Sequence, residues 1–373
     1  MKTHGESVAE EQQMAESPVK PWQPVLPRAP RPIAIVGAGG IICDGHLPAY
    51  RIAGLPVTGI TDIDQARAKD VANRFGMPHV FKDLPSMVAA SSPNTIYDVA
   101  VPASAIPSVL PLLPEGSAVL IQKPLGEDLS QARAIVAICK SRKLAAAVNF
   151  QLRTAPYILA ARRLIDAGTI GELHNMEVRV TVYMPWHLWT FLEKAPRVEI
   201  LYHSVHYVDL VRSFLGEPRR VHALTVKHPD TLKLHSTRTT MALDYGDRIR
   251  ATITTNHGHK FGQERQESYV LWEGTKGAIV ATLGLLMDYP KGRSDGLRMC
   301  TLDADGNPSA WQDVPFEGSW YPHGFIGSMA SLQCFVEGSS PVLPTRVDDA
   351  FRTMAVVEAA YEDSERGGIR VPT

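Results

Sequence analysis

Two textures of apolar residues divide the chain. From Arg31, short apolar runs end on turn-forming residues: "PIAIVGAGG" closes in glycines, "VTGITD" in an aspartate and "IYDVAVP" in a proline. "HLPAYRIAG", closed by Gly54, carries helical spacing, as does "LSQARAIVAICKSRK", for which Ser130 is the expected cap. "SAVLIQKP" and "LAAAVNF" read as two more buried strands. Strands alternating with helices of this length predict an α/β, doubly wound parallel sheet over residues 31–149.

Beyond Arg153 the order changes. "YILAARRLIDAGTIGEL" reads as a helix stopped by glycine, and "HNMEVRVTVY" as an alternating strand. A helix near 202–215 then precedes "RRVHALTV", "RTTMALDY", "RIRATITTN", "SYVLWEG" and "GAIVATL". Strand after strand predicts a largely antiparallel sheet. Helices near 324–337 and 347–362 finish a second α/β domain spanning 150–373. Residues 1–30 turn from acidic to proline-rich, which predicts a disordered or extended arm.

At 373 residues the chain exceeds one small core, so two domains are expected. A net charge of −1 gives no field for gathering nucleic acid or an anionic membrane. Cys43, Cys139, Cys300 and Cys334 form no C-x-x-C pair and read as thiols in a reducing compartment. With no apolar segment of membrane-spanning or signal-peptide type, a soluble cytoplasmic protein is expected.

"VGAGGII" follows a strand and opens a helix, the setting of a dinucleotide-binding turn. Gly37 permits the tight turn, Gly39 lets the backbone approach a pyrophosphate, and the helix start from Gly40 and Ile41 offers amide donors. Ile42 stands where a third glycine is usual. Asp62, 25 residues after Gly37, ends the next strand, where a carboxylate accepts ribose hydroxyls and repels a ribose phosphate. NAD is therefore expected over NADP, with Asp64 the weaker rival. The competing reading is a plain glycine turn beside a solvated acid.

"LIQKP" ends another strand, so Lys123 is expected over the nicotinamide end of the crevice, where an ammonium favours alkoxide character on a hydroxyl. A lysine snorkelling to solvent is the alternative. In "LYHSVHYVDLVRSFLG", Leu201, Val205, Val208 and Leu215 share a helical face that anchors the segment. Tyr202, His206 and Asp209 share an adjacent face. There His206 can pass a proton, Asp209 can orient it and Tyr202 can bind the same substrate. A histidine satisfied inside the core is the alternative.

"IAIVGAGG", "ITDID", "VAVP", "IQKPL", "NFQLR" and "YHSVHYVDLVRSFLGEP" together resemble the glucose–fructose oxidoreductase/inositol dehydrogenase/MocA (Gfo/Idh/MocA) family from about Arg31 to the C-terminus. The resemblance implies a Rossmann domain, a second α/β domain whose open sheet often joins subunits, and a homodimer or homotetramer. It implies hydride transfer between NAD and a sugar, glycoside or cyclitol hydroxyl. It assigns the catalytic lysine to Lys123, with Pro102, Gln122 and Asn149 beside the cofactor. The family's acid–base histidine falls on His206. Gln122 stands where glutamate is usual and Tyr202 where aspartate is frequent, so the proton route is expected to differ.

Trp186, His187 and Trp189 suggest an aromatic sugar wall or a subunit contact. Arg153 is a substrate or cofactor ligand, or else an interdomain salt bridge. His203 and His323 are further substrate candidates. His257 and His259 alternate on one strand, a weak metal pattern with no third ligand at local spacing, and no metal is expected. Two other functions fit the same residues. One is an NAD-recycling glycoside hydrolase or lyase, the other a non-catalytic NAD-binding protein.

Overall fold

The computed structural model describes residues 20–372. Its first layer follows from the short apolar runs. Strands β1 (Ile33–Val36), β2 (Val57–Thr61), β3 (Ile96–Val99), β4 (Ala118–Ile121) and β5 (Ala145–Val148) form one parallel sheet in the order β2-β1-β3-β4-β5. Helices α1 (Leu47–Ile52), α2 (Gln65–Phe75), α3 (Leu84–Ala90), α4 (Ile106–Val109) and α5 (Leu129–Ser141) connect them. Covered on both faces, these strands carry continuous apolar runs in place of alternation. The order reverses between β1 and β3, which opens a crevice beyond their carboxyl ends.

One local expectation is corrected. The cap of α5 is Asp128, whose carboxylate accepts from the Gln131 amide at 2.7 Å; Ser130 lies inside the first turn. An oxygen must precede the helix to reach the free amides of its first turn.

The second layer begins with α6 (Pro156–Asp166), β6 (Leu173–Thr181) and α7 (Val205–Leu215). Six strands follow: β7 (Arg220–Val226), β8 (Arg238–Asp244), β9 (Arg250–Asn256), β10 (Glu267–Gly274), β11 (Gly277–Thr282) and β12 (Gly296–Thr301). With the short β13 (Gln312–Asp313) they make an eight-stranded sheet ordered β13-β12-β11-β10-β6-β9-β8-β7. All pairings are antiparallel except β6 with β9. Val178, Ile253, Val270, Trp272 and Ile279 are fully buried on its inner face. Alternate positions, among them Arg179, Leu224 and Thr240, face outward.

Helix α8 (His323–Glu337) returns to pack on α1, β4 and β5, and α9 (Val347–Arg366) lies across α5 and β7. Residues 1–19, most of the expected arm, fall outside the described residues. Residues 20–30 run along the chain's own helices: the Arg28 and Ala29 amides donate to Glu337, and Arg163 donates to the carbonyls of Lys20 and Gln23. No described helix is long and apolar enough to cross a membrane.

An ion cluster ties the segment after β5 to α7 and α9. Arg153, just after β5, donates from Nε and Nη2 to the Asp209 carboxylate, both at 2.6 Å, and from Nη2 to Asp349 at 2.7 Å. Arg212 also reaches Asp349, at 3.1 Å, and the Thr353 hydroxyl donates to Asp209 at 3.0 Å. Removing one partner of a buried pair strands the other's charge in low dielectric. Asp209→Asn is therefore expected to cost about 3 kcal/mol or more of folding stability, read as a lowered urea midpoint. An unchanged midpoint would show that the cluster does not hold α7 and α9 to the segment after β5.

Candidate active site

The glycine turn is built as the sequence requires. Gly37 has φ +107°, and a Cβ there would stand 2.4 Å from the Ala100 carbonyl oxygen. A Cβ on Gly39 would meet nothing within 4 Å, so open space lies over the helix start. The Ala38 amide donates to Asp62 Oδ2 at 2.6 Å and the Asp64 amide to its Oδ1 at 2.7 Å. Asp62 thus stands at the turn, with lone pairs remaining on each oxygen. Asp64 caps α2 through the Arg67 amide and is committed there.

Ile42 is corrected as a cofactor contact, because it is wholly buried. The helix takes a wide π turn over Ile42–His46 before α1. Gly40 and Ile41 remain accessible at the helix start, and Pro102 is exposed just beyond β3. These residues fit a dinucleotide: an unobstructed glycine, helix-start amides for pyrophosphate and a carboxylate for ribose.

Lys123 follows β4, and its peptide bond to Pro124 is cis. Its Nζ donates to the backbone carbonyl of Tyr202 at 2.8 Å. Among the described residues no carboxylate forms an ion pair with it, and burial lowers its pKa to about 8. Gln122, expected to differ from a usual glutamate, turns its Oε1 to Asn149, and Tyr202, expected to differ from a frequent aspartate, offers the amine only its backbone carbonyl. The expected role of the Tyr202 phenol is revised accordingly: its backbone holds the lysine, and its ring meets Phe191 edge-on at 5.8 Å.

His206 is 5% exposed, set edge-on to Phe150 and Trp320, with Nδ1 lacking a partner among the described residues. Burial first, and the charge of Lys123 second, hold its pKa well below the ordinary value, so the ring is neutral. Asp209 does not orient it, because both its oxygens serve Arg153. Arg153 gives four of its five N–H hydrogens to Asp209, Asp349 and the Pro344 carbonyl, and is corrected from substrate ligand to salt bridge.

Trp186 is corrected as a sugar wall. It is 9% exposed and stacks on the His203 ring, centroids 5.0 Å apart. Trp189 packs on Tyr289. His203 is held near Lys123 and is likewise kept neutral, by burial first and then by the charges of His257 and Lys123. His323 opens α8, and its Nδ1 accepts from the Ser319 amide at 3.2 Å. Among the described residues no His, Cys, Asp or Glu cluster is arranged to hold a metal.

Two buried networks beside the lysine went unread in the sequence. In the first, the Tyr50 hydroxyl donates to Asp98 at 2.7 Å, and His46 Nδ1 meets the same oxygen at 2.7 Å. Asn149 Nδ2 then bridges His46 Nε2 at 3.1 Å and Gln122 Oε1 at 2.9 Å. Asn149 is fully buried, so its expected cofactor contact is corrected: it fixes the Gln122 amide from behind. Asp98 was the available signal, since a lone acid in a strand buried on both faces needs a buried partner. The second network joins Glu199, His203 and His257, which chain spacing does not bring together.

Residues 31–150 match the oxidoreductase family with NAD-binding Rossmann fold, and residues 158–280 match the GFO/IDH/MocA C-terminal domain. A D-apiose dehydrogenase of Paraburkholderia graminis is 26% identical over 90% of this chain and 88% of its own. An inositol 2-dehydrogenase of Corynebacterium glutamicum is 30% identical over 81% of this chain and 91% of its own. An oxidoreductase from Agrobacterium radiobacter, solved with NAD+, L-tartaric acid and magnesium, superposes with a TM-score of 0.76 at 20% identity. It covers 91% of this chain and 98% of that one, a likeness of fold. With the glycine turn and the lysine at the carboxyl edge of one sheet and the α7 histidine facing them, the chain belongs to the Gfo/Idh/MocA oxidoreductase family.

Proposed function

We propose that this protein is a dehydrogenase of CH–OH groups that acts with NAD on a sugar, glycoside or cyclitol, and that Lys123 receives the hydroxyl proton. The observation that carries the reading is the lysine itself. It is a desolvated amine with one carbonyl partner and, among the described residues, no counter-carboxylate, next to two neutral imidazoles, His203 and His206. Relatives named for apiose and inositol support small polyols as the substrate class.

NAD, when bound, supplies the hydride acceptor; Gly39 to Ile41 would hold its pyrophosphate and Asp62 its ribose. The chain's own work is acid–base. As a free amine, Lys123 takes the proton from the hydroxyl as the carbon becomes a carbonyl. As an ammonium it returns that proton in the reverse reaction. His206, steadied between Phe150 and Trp320, presents a neutral ring that orients the hydroxyl. The outward face of the second sheet carries Leu224 at 59% and Val226 at 38% exposure, which supports pairing of copies as a homodimer or homotetramer. The four cysteines are free, which suits the cytoplasm.

Lys123→Met is expected to reduce polyol-dependent NADH formation by about 10²-fold or more while calorimetry still records NAD binding; undiminished turnover would remove the lysine's role. A polyol and glycoside panel with product analysis separates net oxidation from glycoside cleavage without NADH accumulation.

The pH dependence follows from the amine's titration at about 8. Oxidation needs the deprotonated form, so kcat/KM is expected to rise with pH through that value and level off above it. Gln122→Glu restores a carboxylate beside the ammonium and should move this limb upward by about one pH unit. A limb that stays in place would mean another group is the base.

Asp62→Ser should erode the preference for NAD over NADP by about 10-fold or more, since like-charge repulsion of the ribose phosphate is lost. Steady-state kinetics with both cofactors reads this out, and an unchanged ratio would show that Asp62 does not select the cofactor.

A further inference from the structure

Glu199, His257 and His203 take no part in the chemistry of Lys123 described so far. Glu199 is wholly buried at the start of the π turn that precedes α7. Its Oε1 accepts from Ser204 Oγ at 2.7 Å and lies 3.3 Å from Nε2 of His257. Among the described residues His257 is its one ionic neighbour. His257, just beyond β9, is buried as well, and the same Nε2 is 3.4 Å from Nδ1 of His203. A carboxylate taken out of water with no arginine or lysine beside it is costly, and an apolar side chain would fill the space at less cost.

These three side chains fix a direction. Burial pushes the Glu199 pKa up, but its hydrogen bonds, that of His257 foremost, outweigh burial and bring it below the ordinary value. An ionised carboxylate only accepts, so Nε2 of His257 carries a hydrogen. Nδ1 of His203 faces that hydrogen and therefore accepts. The neutral His203 ring has a single N–H, which must then be on Nε2.

That nitrogen is open. His203 is partly exposed, and its Nε2 is neither sealed nor hydrogen-bonded among the described residues. Trp186 covers one face of the ring, centroids 5.0 Å apart. Trp186 and His257 line a cavity of about 160 Å³ that His203 does not border. His203 follows Tyr202, whose carbonyl holds Nζ of Lys123, and the charge of that lysine acts on the ring. The free N–H therefore belongs to the lysine's surroundings and not to the cavity.

We propose that Glu199 and His257 are positioning residues that lock His203 as an N–H donor to a second substrate oxygen, beside the hydroxyl served by Lys123. The inference rests on the dehydrogenase reading. A donor of fixed sense selects polyols that carry a lone pair at that second position, on a hydroxyl, carbonyl or carboxylate oxygen. A substrate that lacks the oxygen, or has an ammonium there, leaves the N–H unpaired.

The test uses the full-length protein. NMR of ¹⁵N-labelled histidines reads which ring nitrogen bears the hydrogen, and His203→Phe assigns the signal by its loss. Wild-type His203 should hold its hydrogen on Nε2 alone. Glu199→Gln, which fills the same space without the charge, should leave His203 a mixture of both tautomers. Kinetics use NAD and the panel polyol that is turned over fastest. His203→Phe keeps an aromatic face for Trp186 and should raise KM about 5- to 10-fold at unchanged kcat. His257→Leu should raise KM in the same direction by about 3-fold, and His257→Gln, which keeps an amide hydrogen for both partners, should restore it. Should His257→Leu not fold, Glu199→Gln stands in for it. A wild-type hydrogen on Nδ1, a tautomer unmoved in Glu199→Gln, or a KM unmoved in His203→Phe would overturn the lock and leave the dehydrogenase standing. A wild-type enzyme that reduces NAD with no member of the polyol panel would overturn both.

Discussion

A lysine deprived of water and, among the described residues, given only a carbonyl oxygen is the constraint around which the candidate site is organised. A buried charge normally gains a counter-charge or loses its proton. At Lys123 no carboxylate pairs with the amine among the described residues, and burial instead lowers its pKa to about 8. The rigid carboxyl edge of β4 keeps the amine where the sheet's crevice opens. Both nearby imidazoles are neutral for the same reason the amine is weakened: the pocket penalises positive charge. One low-dielectric environment therefore sets three protonation states together.

The surroundings of the lysine are more polar than its pocket. Asp98, His46, Tyr50 and Asn149 form a chain of hydrogen bonds that ends on Gln122 and leaves Asp98 Oδ1 and Asn149 Oδ1 without a partner among the described residues. The Asn149 donor at its end determines which way the Gln122 amide faces. The cluster of Arg153, Asp209 and Asp349 fixes the segment after β5 against α7 and α9 in the same manner. Residues that read as ligands in the chain turn out to hold the frame on which ligands are placed.

Much of the architecture was legible because strand burial and helix periodicity are local signals. The parallel sheet, the glycine turn and the position of Lys123 after its strand all follow from neighbours within a few residues. What could not be read was pairing over long separation. Arg153 matched a ligand pattern until Asp209 and Asp349 were seen to claim its hydrogens. Trp186 looked available to a sugar until His203 was found lying on its face. Asp98 carried a usable warning in its own strand, whereas Glu199 and His257 lie on different elements and show their connection only in three dimensions. β12 escaped notice because glycine, arginine and a cysteine interrupt its alternation.

The return of α8 to the first sheet has a consequence for how the molecule is made. Phe325, Ile326, Met329 and Leu332 pack into the same core as Ile33, Tyr50 and Ile60, although they lie near the opposite end of the chain. The nucleotide-binding half leaves the ribosome first, yet one side of it stays uncovered until nearly all the remaining residues have been synthesised. Its apolar surface is thus exposed throughout translation of the second sheet, the interval in which nascent chains most need a chaperone.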